Sequence, residues 1–128
     1  MKRVLLILLC LFIVVGCGKK EPLVTMRIKD NTLTNTSAIV IITDKNSKHY
    51  TYGEWFRIDY NKDNEWHKLE TITDDISFYM IGYDIDKNNE LEMETNWEWL
   101  YGKLKPGEYR LVKRVEDNTE IYAEFTIK

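Results

Sequence analysis

The histidine and serine side chains are the first residues to consider for chemistry, because hydrolases need a nucleophile, a base and an orienting group within reach of one another. The only histidines are His49 and His67, and the serines are Ser37, Ser47 and Ser77. No Gly-x-Ser-x-Gly segment surrounds any serine. We interpret both histidines as ordinary surface residues and predict that the protein is not an enzyme.

One group of oxygen ligands has the spacing of a metal loop. Asp84, Asp86 and Asn88 alternate like the first ligands of a calcium-binding loop. The sixth position is Asn89 rather than glycine, and the twelfth is Thr95 rather than the bidentate glutamate. The sequence therefore favours a plain turn between strands, and we predict neither a metal nor a cofactor.

Aromatic side chains are the strongest candidates for binding. The chain holds four Trp and eight Tyr residues, more than the core of one small domain requires. Trp55 and Trp99, with Tyr52 or Tyr101 nearby, could form an exposed stacking surface for a sugar or a peptide. The alternative is that these rings pack over the ends of a small β-sandwich and close its core.

The N-terminus indicates export. Lys2 and Arg3 precede an apolar run from Val4 to Val15, which is shorter than the roughly 20 residues of a membrane span. The segment Val14-Val15-Gly16-Cys17 resembles the lipobox of bacterial lipoproteins. That resemblance implies a lipoprotein signal peptide over residues 1–16 and a Cys17 thiol carrying a diacylglyceryl group with fatty chains such as palmitate. The mature protein would then be anchored to the cell membrane and face outside.

Residues 17–22 form a short tether before a domain predicted over residues 23–128. The five residues from Gly18 to Pro22 reach about 17 Å at most, so the domain should lie close to the bilayer. Without Lys2 and Arg3 the chain holds 16 basic and 21 acidic residues, a net charge of −5. This charge disfavours nucleic acid as a partner.

The rest of the chain is predicted to be all-β, because short strand-like segments recur between Asn, Asp and Gly clusters. Ser37 to Thr43 is apolar on both faces and should be a central strand. The Glu90, Glu92 and Glu94 row is typical of the solvated face of an edge strand. The predicted strands are Val24 to Lys29, Ser37 to Thr43, Tyr50 to Tyr60, Glu65 to Glu70, Ile76 to Tyr83, Glu90 to Trp97, Tyr109 to Val115 and Glu120 to Lys128.

A corner between two sheets is predicted at the segment Leu104-Lys105-Pro106-Gly107-Glu108-Tyr109. Pro106 fixes φ, and Gly107 should supply the dihedral freedom of the turn. The ring of Tyr109 can be buried while its hydroxyl bonds to the backbone a few residues upstream. This segment resembles the tyrosine corner of immunoglobulin-like domains.

A wider resemblance covers about Tyr50 to Lys128. The segments Tyr52-Gly53-Glu54-Trp55-Phe56 and Trp97-Glu98-Trp99-Leu100-Tyr101-Gly102, followed by Pro-Gly-x-Tyr-Arg, resemble a bacterial immunoglobulin-like domain family of exported proteins and lipoproteins. The resemblance implies a Greek-key sandwich of seven to eight antiparallel strands and brings no catalytic residues.

Three functions follow as hypotheses. The first is a non-enzymatic, lipid-anchored binding or interaction module at the outer face of the cell envelope, with a protein or cell-wall ligand. The second is an inhibitor or modulator of a secreted enzyme that acts through the end loops Asn61 to Asn64 or Asp84 to Asn89. The third is a carbohydrate-binding module that uses Trp55 and Trp99.

Overall fold

The computed structural model describes residues 22–116 and 118–128. The predicted signal peptide and the lipidation site Cys17 lie outside these residues. The described chain forms seven strands and one short helix. They are β1 (Val24–Ile28), β2 (Ser37–Asp44), β3 (Arg57–Lys62), β4 (Glu65–Lys68), β5 (Glu90–Asn96), helix α1 (Glu98–Tyr101), β6 (Gly107–Arg114) and β7 (Glu120–Ile127).

The strands form two antiparallel sheets. One sheet has the order β1-β2-β5 and the other the order β4-β3-β6-β7. The chain crosses between the sheets after β2, after β4 and after β5, which is a Greek-key sandwich. This arrangement confirms the predicted fold class. It also confirms that Ser37 to Thr43 belongs to a central strand and that the glutamate-rich strand, β5, lies at an edge.

The core lies between the sheets and is built from alternate residues of their strands. In β7 the alternation is complete, since the four residues Ile121, Ala123, Phe125 and Ile127 are buried and their neighbours are not. Trp97, directly after β5, is fully buried and stacks on Phe125 with ring centroids 5.4 Å apart. Its Nε1–H donates to the carbonyl of Asn35 at 2.9 Å.

The predicted tyrosine corner is present. Tyr109 is buried, stacks on Phe125 at 5.7 Å, and donates its hydroxyl to the Lys105 carbonyl at 2.7 Å. The prediction for Gly107 is wrong, because this residue begins β6 without a positive φ. Gly102 has the positive φ of this region (70°), where it ends α1 and donates its N–H to the Glu98 carbonyl.

The N-terminal half of the predicted strand Tyr50 to Tyr60 is a loop, because a buried carboxylate organises it. Asp44 accepts hydrogen bonds from the Asn46 and Tyr50 N–H groups and from the Tyr52 hydroxyl, each at 2.9 Å. Burial works to raise the pKa of Asp44, but these hydrogen bonds hold it below its usual range. β3 therefore begins only at Arg57.

A buried lysine holds the next part of the same loop. The Lys113 Nζ donates to the carbonyls of Gly53 and Trp55 at 2.8 and 3.0 Å. These carbonyls consequently bond to an ammonium group rather than to a neighbouring strand. Burial lowers the pKa of Lys113 to about 8, an effect that Glu54 partly opposes.

The predicted strand Ile76 to Tyr83 is not a strand in the structure. Its one ladder contact is an isolated bridge between Tyr83 and Tyr52. The loop that Asp44 and Lys113 hold offers no continuous row of backbone groups for a longer ladder. Side-chain alternation alone does not make a strand when the neighbouring backbone is already bonded elsewhere.

Ion pairs cover the outer face of the four-stranded sheet. Asp59 on this face is a charged residue that is only 2 % exposed. Arg57 Nε and Arg110 Nε each donate to its carboxylate at 2.9 Å, one from its own strand and one from β6. Arg57 also donates to Glu120, and this hydrogen bond lowers the pKa of Glu120 to about 2.

Replacing Tyr109 by phenylalanine tests the corner. The ring still fills the core, but the Lys105 carbonyl loses its donor, so the free energy of unfolding should fall by about 1 kcal/mol in chemical denaturation. Tyr79→Phe is the matched control, because Tyr79 is 80 % exposed and its change should stay within about 0.5 kcal/mol. Equal stability of Tyr109→Phe and the wild type would contradict this role of the hydroxyl.

Acid should reduce the contribution of Glu120 to the free energy of unfolding. Because its pKa is depressed in the folded state, its stabilisation is present above about pH 4.5 and declines as the pH falls toward about 2. Glu120→Gln should therefore lower the free energy of unfolding by about 1 kcal/mol at pH 7, with a difference from wild type that narrows in acid. Glu108→Gln on β6 serves as the control. If the difference in free energy of unfolding between Glu120→Gln and the wild type is the same at pH 7 and pH 3, the depressed pKa of Glu120 is contradicted.

Candidate functional site

A cleft of about 500 Å³ opens at the side of the sandwich, next to β5. Its volume is within the range of small-ligand sites. One wall comes from β5 and α1, and the other from the irregular segment of residues 75–79. The residues that line it are Glu54, Asp75, Ser77, Phe78, Tyr79, Glu94, Asn96 and Trp99.

Helix α1 places Trp99 in this cleft. The Asn96 side chain accepts the Glu98 N–H at 3.0 Å, which turns the chain from β5 into the helix. One turn is enough to separate two faces: Leu100 is 1 % exposed in the core, whereas Trp99 is 41 % exposed. The helix thus buries Leu100 in the core and exposes the preceding residue, Trp99, to solvent.

An aromatic series joins the cleft to the core. Phe78 contacts Trp99 edge-on, with centroids 5.4 Å apart, and makes a second edge contact with the buried Phe56 at 5.6 Å. Phe78 is itself partly buried. Trp99 is therefore supported from behind, so its exposed face is held in place rather than free to rotate.

Carboxylates surround this aromatic floor. Glu54, Asp75 and Glu94 line the cleft, and none of its described lining residues is a lysine, arginine or histidine. Glu54 accepts a hydrogen bond from the Tyr83 hydroxyl, which raises the pKa of that tyrosine. The cleft consequently carries negative charge at neutral pH, and it suits a ligand with cationic or hydrogen-bond-donating groups.

The segment beside the cleft exposes an unusual amount of apolar surface. Tyr79 and Met80 are 80 % and 104 % exposed, and three isoleucines of the same region are between 45 % and 68 % exposed. The sequence pattern predicted a strand over Ile76 to Tyr83 and did not indicate this exposed surface. The available signal was that both faces of the segment are apolar. The isoleucines are Ile72, Ile76 and Ile81.

The other aromatic residues predicted for binding lie elsewhere. Trp55 packs under the Arg114 guanidinium, 4.2 Å from the ring centroid, and lines a separate pocket with Gly53. The prediction of an exposed Tyr52 is wrong, because this side chain is fully buried and bonds to Asp44. Burial and the hydrogen bond to Asp44 raise the pKa of Tyr52.

Tyr101 stabilises the fold and does not line the cleft. It is half-buried, and its hydroxyl accepts the Ile58 N–H at 3.1 Å. Burial raises its pKa. The structure thus retains Trp99 from the predicted set and combines it with Phe78 and Tyr79, which sequence reasoning did not select.

The histidines and the loop from Asp84 to Asn89 do not line the cleft. His49 Nε2 lies 2.9 Å from Asn89 Oδ1, while His67 on β4 stacks against Tyr60. In the loop, one Asp86 carboxylate oxygen accepts the N–H groups of Asn88 and Glu90. Across residues 22–116 and 118–128, no three His, Cys, Asp or Glu side chains are grouped as metal ligands.

In the described part of the chain, no helix has the length and apolar character needed to cross a bilayer.

Comparison with known proteins agrees with the sandwich and its corner. Neither the curated proteins nor the solved structures that were searched gave a match. A family model described as a bacterial Ig-like domain matches residues 20–126, which span all seven strands apart from the final residue of β7. The chain therefore belongs to the family of bacterial Ig-like domains.

Proposed function

We propose that this protein is a lipid-anchored interaction module at the outer face of the cell envelope, and that it binds its ligand in the cleft beside Trp99. The observation that carries the proposal is the exposed apolar surface around the cleft, from Ile72 to Ile81 together with Trp99. Contiguous exposed apolar side chains are typical of interaction sites.

Family membership supports this class of function. Bacterial Ig-like domains are often extracellular or surface-exposed, and they are typically non-enzymatic. The Cys17 motif supports the anchor, since two acyl chains suffice for stable attachment to a bilayer.

The position of the cleft suits an anchored domain. β1 begins at Val24, whose register partner is Asp44 at the end of β2, so the tether enters at that end of the sandwich. β5 ends at Asn96, opposite Ser37 at the other end of β2. Trp99 lies three residues after Asn96, in helix α1, at the end of β5 that is remote from Val24. In an anchored domain it would therefore face away from the tether, toward partners outside the membrane.

Carbohydrate is the second candidate ligand. Trp99 offers a stacking face, and the Glu94 carboxylate and the Asn96 amide line the same cleft. An aromatic ring can pack against the apolar face of a sugar, while the carboxylate and the amide can form hydrogen bonds with its hydroxyls. A carbohydrate ligand would occupy the same cleft as the ligand proposed first, so the two candidate functions differ only in the class of ligand.

The two loops considered for an enzyme inhibitor lie at opposite ends of the sandwich, so an inhibitor could insert only one of them into a given enzyme cleft. Asp63 and Asn64 form the turn between β3 and β4, both with positive φ, at the end where β6 begins. The Asp84 to Asn89 loop lies at the opposite end, where the Asn89 carbonyl accepts the Asp44 N–H.

Cys17→Ala tests the anchor. Without the thiol there is no site for the diacylglyceryl group, so radiolabelled palmitate should not be incorporated and the protein should leave the membrane fraction. Cys10→Ala is the matched control and should behave as wild type, because Cys10 lies within the apolar run of the predicted signal. Continued acylation of the Cys17→Ala protein would contradict the anchor.

Trp99→Ala tests the cleft. In crosslinking pull-downs of the anchored protein from its own envelope, recovery of specific partners should fall about tenfold, as expected for a supported aromatic residue at a binding site. Tyr122→Ala is the control, because Tyr122 is also 41 % exposed but lies in β7 of the other sheet. Equal partner recovery by both variants, with both proteins folded by circular dichroism, would overturn the assignment of the cleft.

A further inference from the structure

The outer edge of β5 has unpaired backbone groups. β5 pairs with β2 on one side only. The Glu90 carbonyl points away from β2, since it accepts the Asp86 N–H at 3.0 Å. The direction of the backbone N–H and C=O groups alternates along a strand. Those of Glu92, Glu94 and Asn96 therefore point away from β2, as the Glu90 carbonyl does. No described backbone–backbone hydrogen bond uses these groups.

The odd-numbered residues confirm this alternation. The Asn89 carbonyl accepts the Asp44 N–H, and the Trp97 N–H donates to Thr36, so both point toward β2. The next segment that could cover the free edge is residues 75–79, but the 500 Å³ cleft separates it from β5. A cleft of about 500 Å³ thus lies between a free sheet edge and a segment that contributes both apolar and polar side chains.

We propose that this cleft binds an extended, basic polypeptide segment that adds to β5 as a further strand. The inference rests on the proposed function of the cleft and specifies its ligand. Strand addition to an exposed edge is a recurring mode of peptide recognition, in which backbone hydrogen bonds give affinity and pockets for alternate side chains give specificity. Here the backbone groups of Glu92, Glu94 and Asn96 pair with the segment, and the Phe78–Trp99 floor receives an apolar side chain.

Charge selects a basic partner over an acidic one. Glu94, Asp75 and Glu54 border the cleft, and no described salt bridge neutralises them. Glu92 differs, since Lys29 lies 2.9 Å from its carboxylate on the outer face of the same sheet. Lysine or arginine side chains at alternate positions of an added strand would meet the Glu94 and Asp75 carboxylates, whereas Glu54 already accepts the Tyr83 hydroxyl.

The same charges disfavour a second copy of this chain. Pairing two β5 edges around a twofold axis would set the Glu92 and Glu94 rows of both chains beside each other. Like charges opposite one another destabilise a sheet, and acidic edge strands are a common protection against self-association.

Defined hexapeptides test the inference. The full chain, purified in detergent, is titrated with a fluorescent peptide of alternating lysine and valine, with a glutamate–valine peptide, and with a lysine–valine peptide N-methylated at every backbone nitrogen. We expect binding by the first peptide only, since N-methylation removes the donors that pair with β5. The amide resonances of Glu92, Glu94 and Asn96 should shift and gain protection from hydrogen exchange.

A charge-reversal variant separates specificity from stability. Asp75→Lys combined with Glu94→Lys should weaken lysine–valine binding at least tenfold and confer binding of the glutamate–valine peptide. Both changed side chains are exposed, and Glu108→Lys in the other sheet is the matched control. A gain of acidic-peptide binding cannot arise from unfolding.

Four outcomes overturn the inference. They are equal binding of the N-methylated peptide, unchanged β5 amides on lysine–valine binding, absence of lysine–valine binding, and self-association of the wild type through β5. If peptides fail but chitotetraose quenches Trp99 fluorescence, the cleft binds carbohydrate and the proposed function stands. If peptide and sugar both fail, and Trp99→Ala recovers the same envelope partners as wild type, the proposed function fails as well.

Discussion

The stacked rings of Trp97, Phe125 and Tyr109 are the interaction on which the rest of the sandwich depends. Trp97 follows a strand of one sheet, while Phe125 and Tyr109 belong to strands of the other, so the stack joins the two layers through the core. Both cysteines, Cys10 and Cys17, precede the described residues, so no disulfide joins the sheets there. Aromatic packing and the Tyr109 hydroxyl take over that connecting role.

Two buried charged groups then decide where regular structure stops. Asp44 and Lys113 bind polar groups of the loop between β2 and β3, and each satisfies backbone atoms that a ladder would otherwise use. A buried charge is stable only with such partners, so the loop is fixed as firmly as a strand. Apart from the bridge between Tyr52 and Tyr83, its conformation offers residues 76–83 no strand to pair with, and this segment remains irregular.

The candidate site is a consequence of that irregularity. Because residues 75–79 do not pair with β5, a gap opens at the side of the sandwich and apolar side chains face solvent. Phe78 closes the core behind the gap by packing on Phe56, so exposure of Trp99 does not open the interior to water. The fold thus leaves one edge of the three-stranded sheet unpaired, and the glutamate row of β5 places negative charge along that edge.

The fold class, the corner at Tyr109 and most strands could be predicted from the amino-acid sequence, because side-chain alternation and turn residues are local signals. β7 and the Asp63-Asn64 turn illustrate this, since each follows from neighbouring residues alone. The burial of Tyr52, the enclosure of Asp59 by two arginines and the absence of a strand over residues 76–83 became visible only in the folded chain. Those outcomes depend on partners far apart in the chain, such as Lys113 and Gly53 or Arg57 and Glu120. Local pattern carries no information on which backbone groups such distant side chains will occupy.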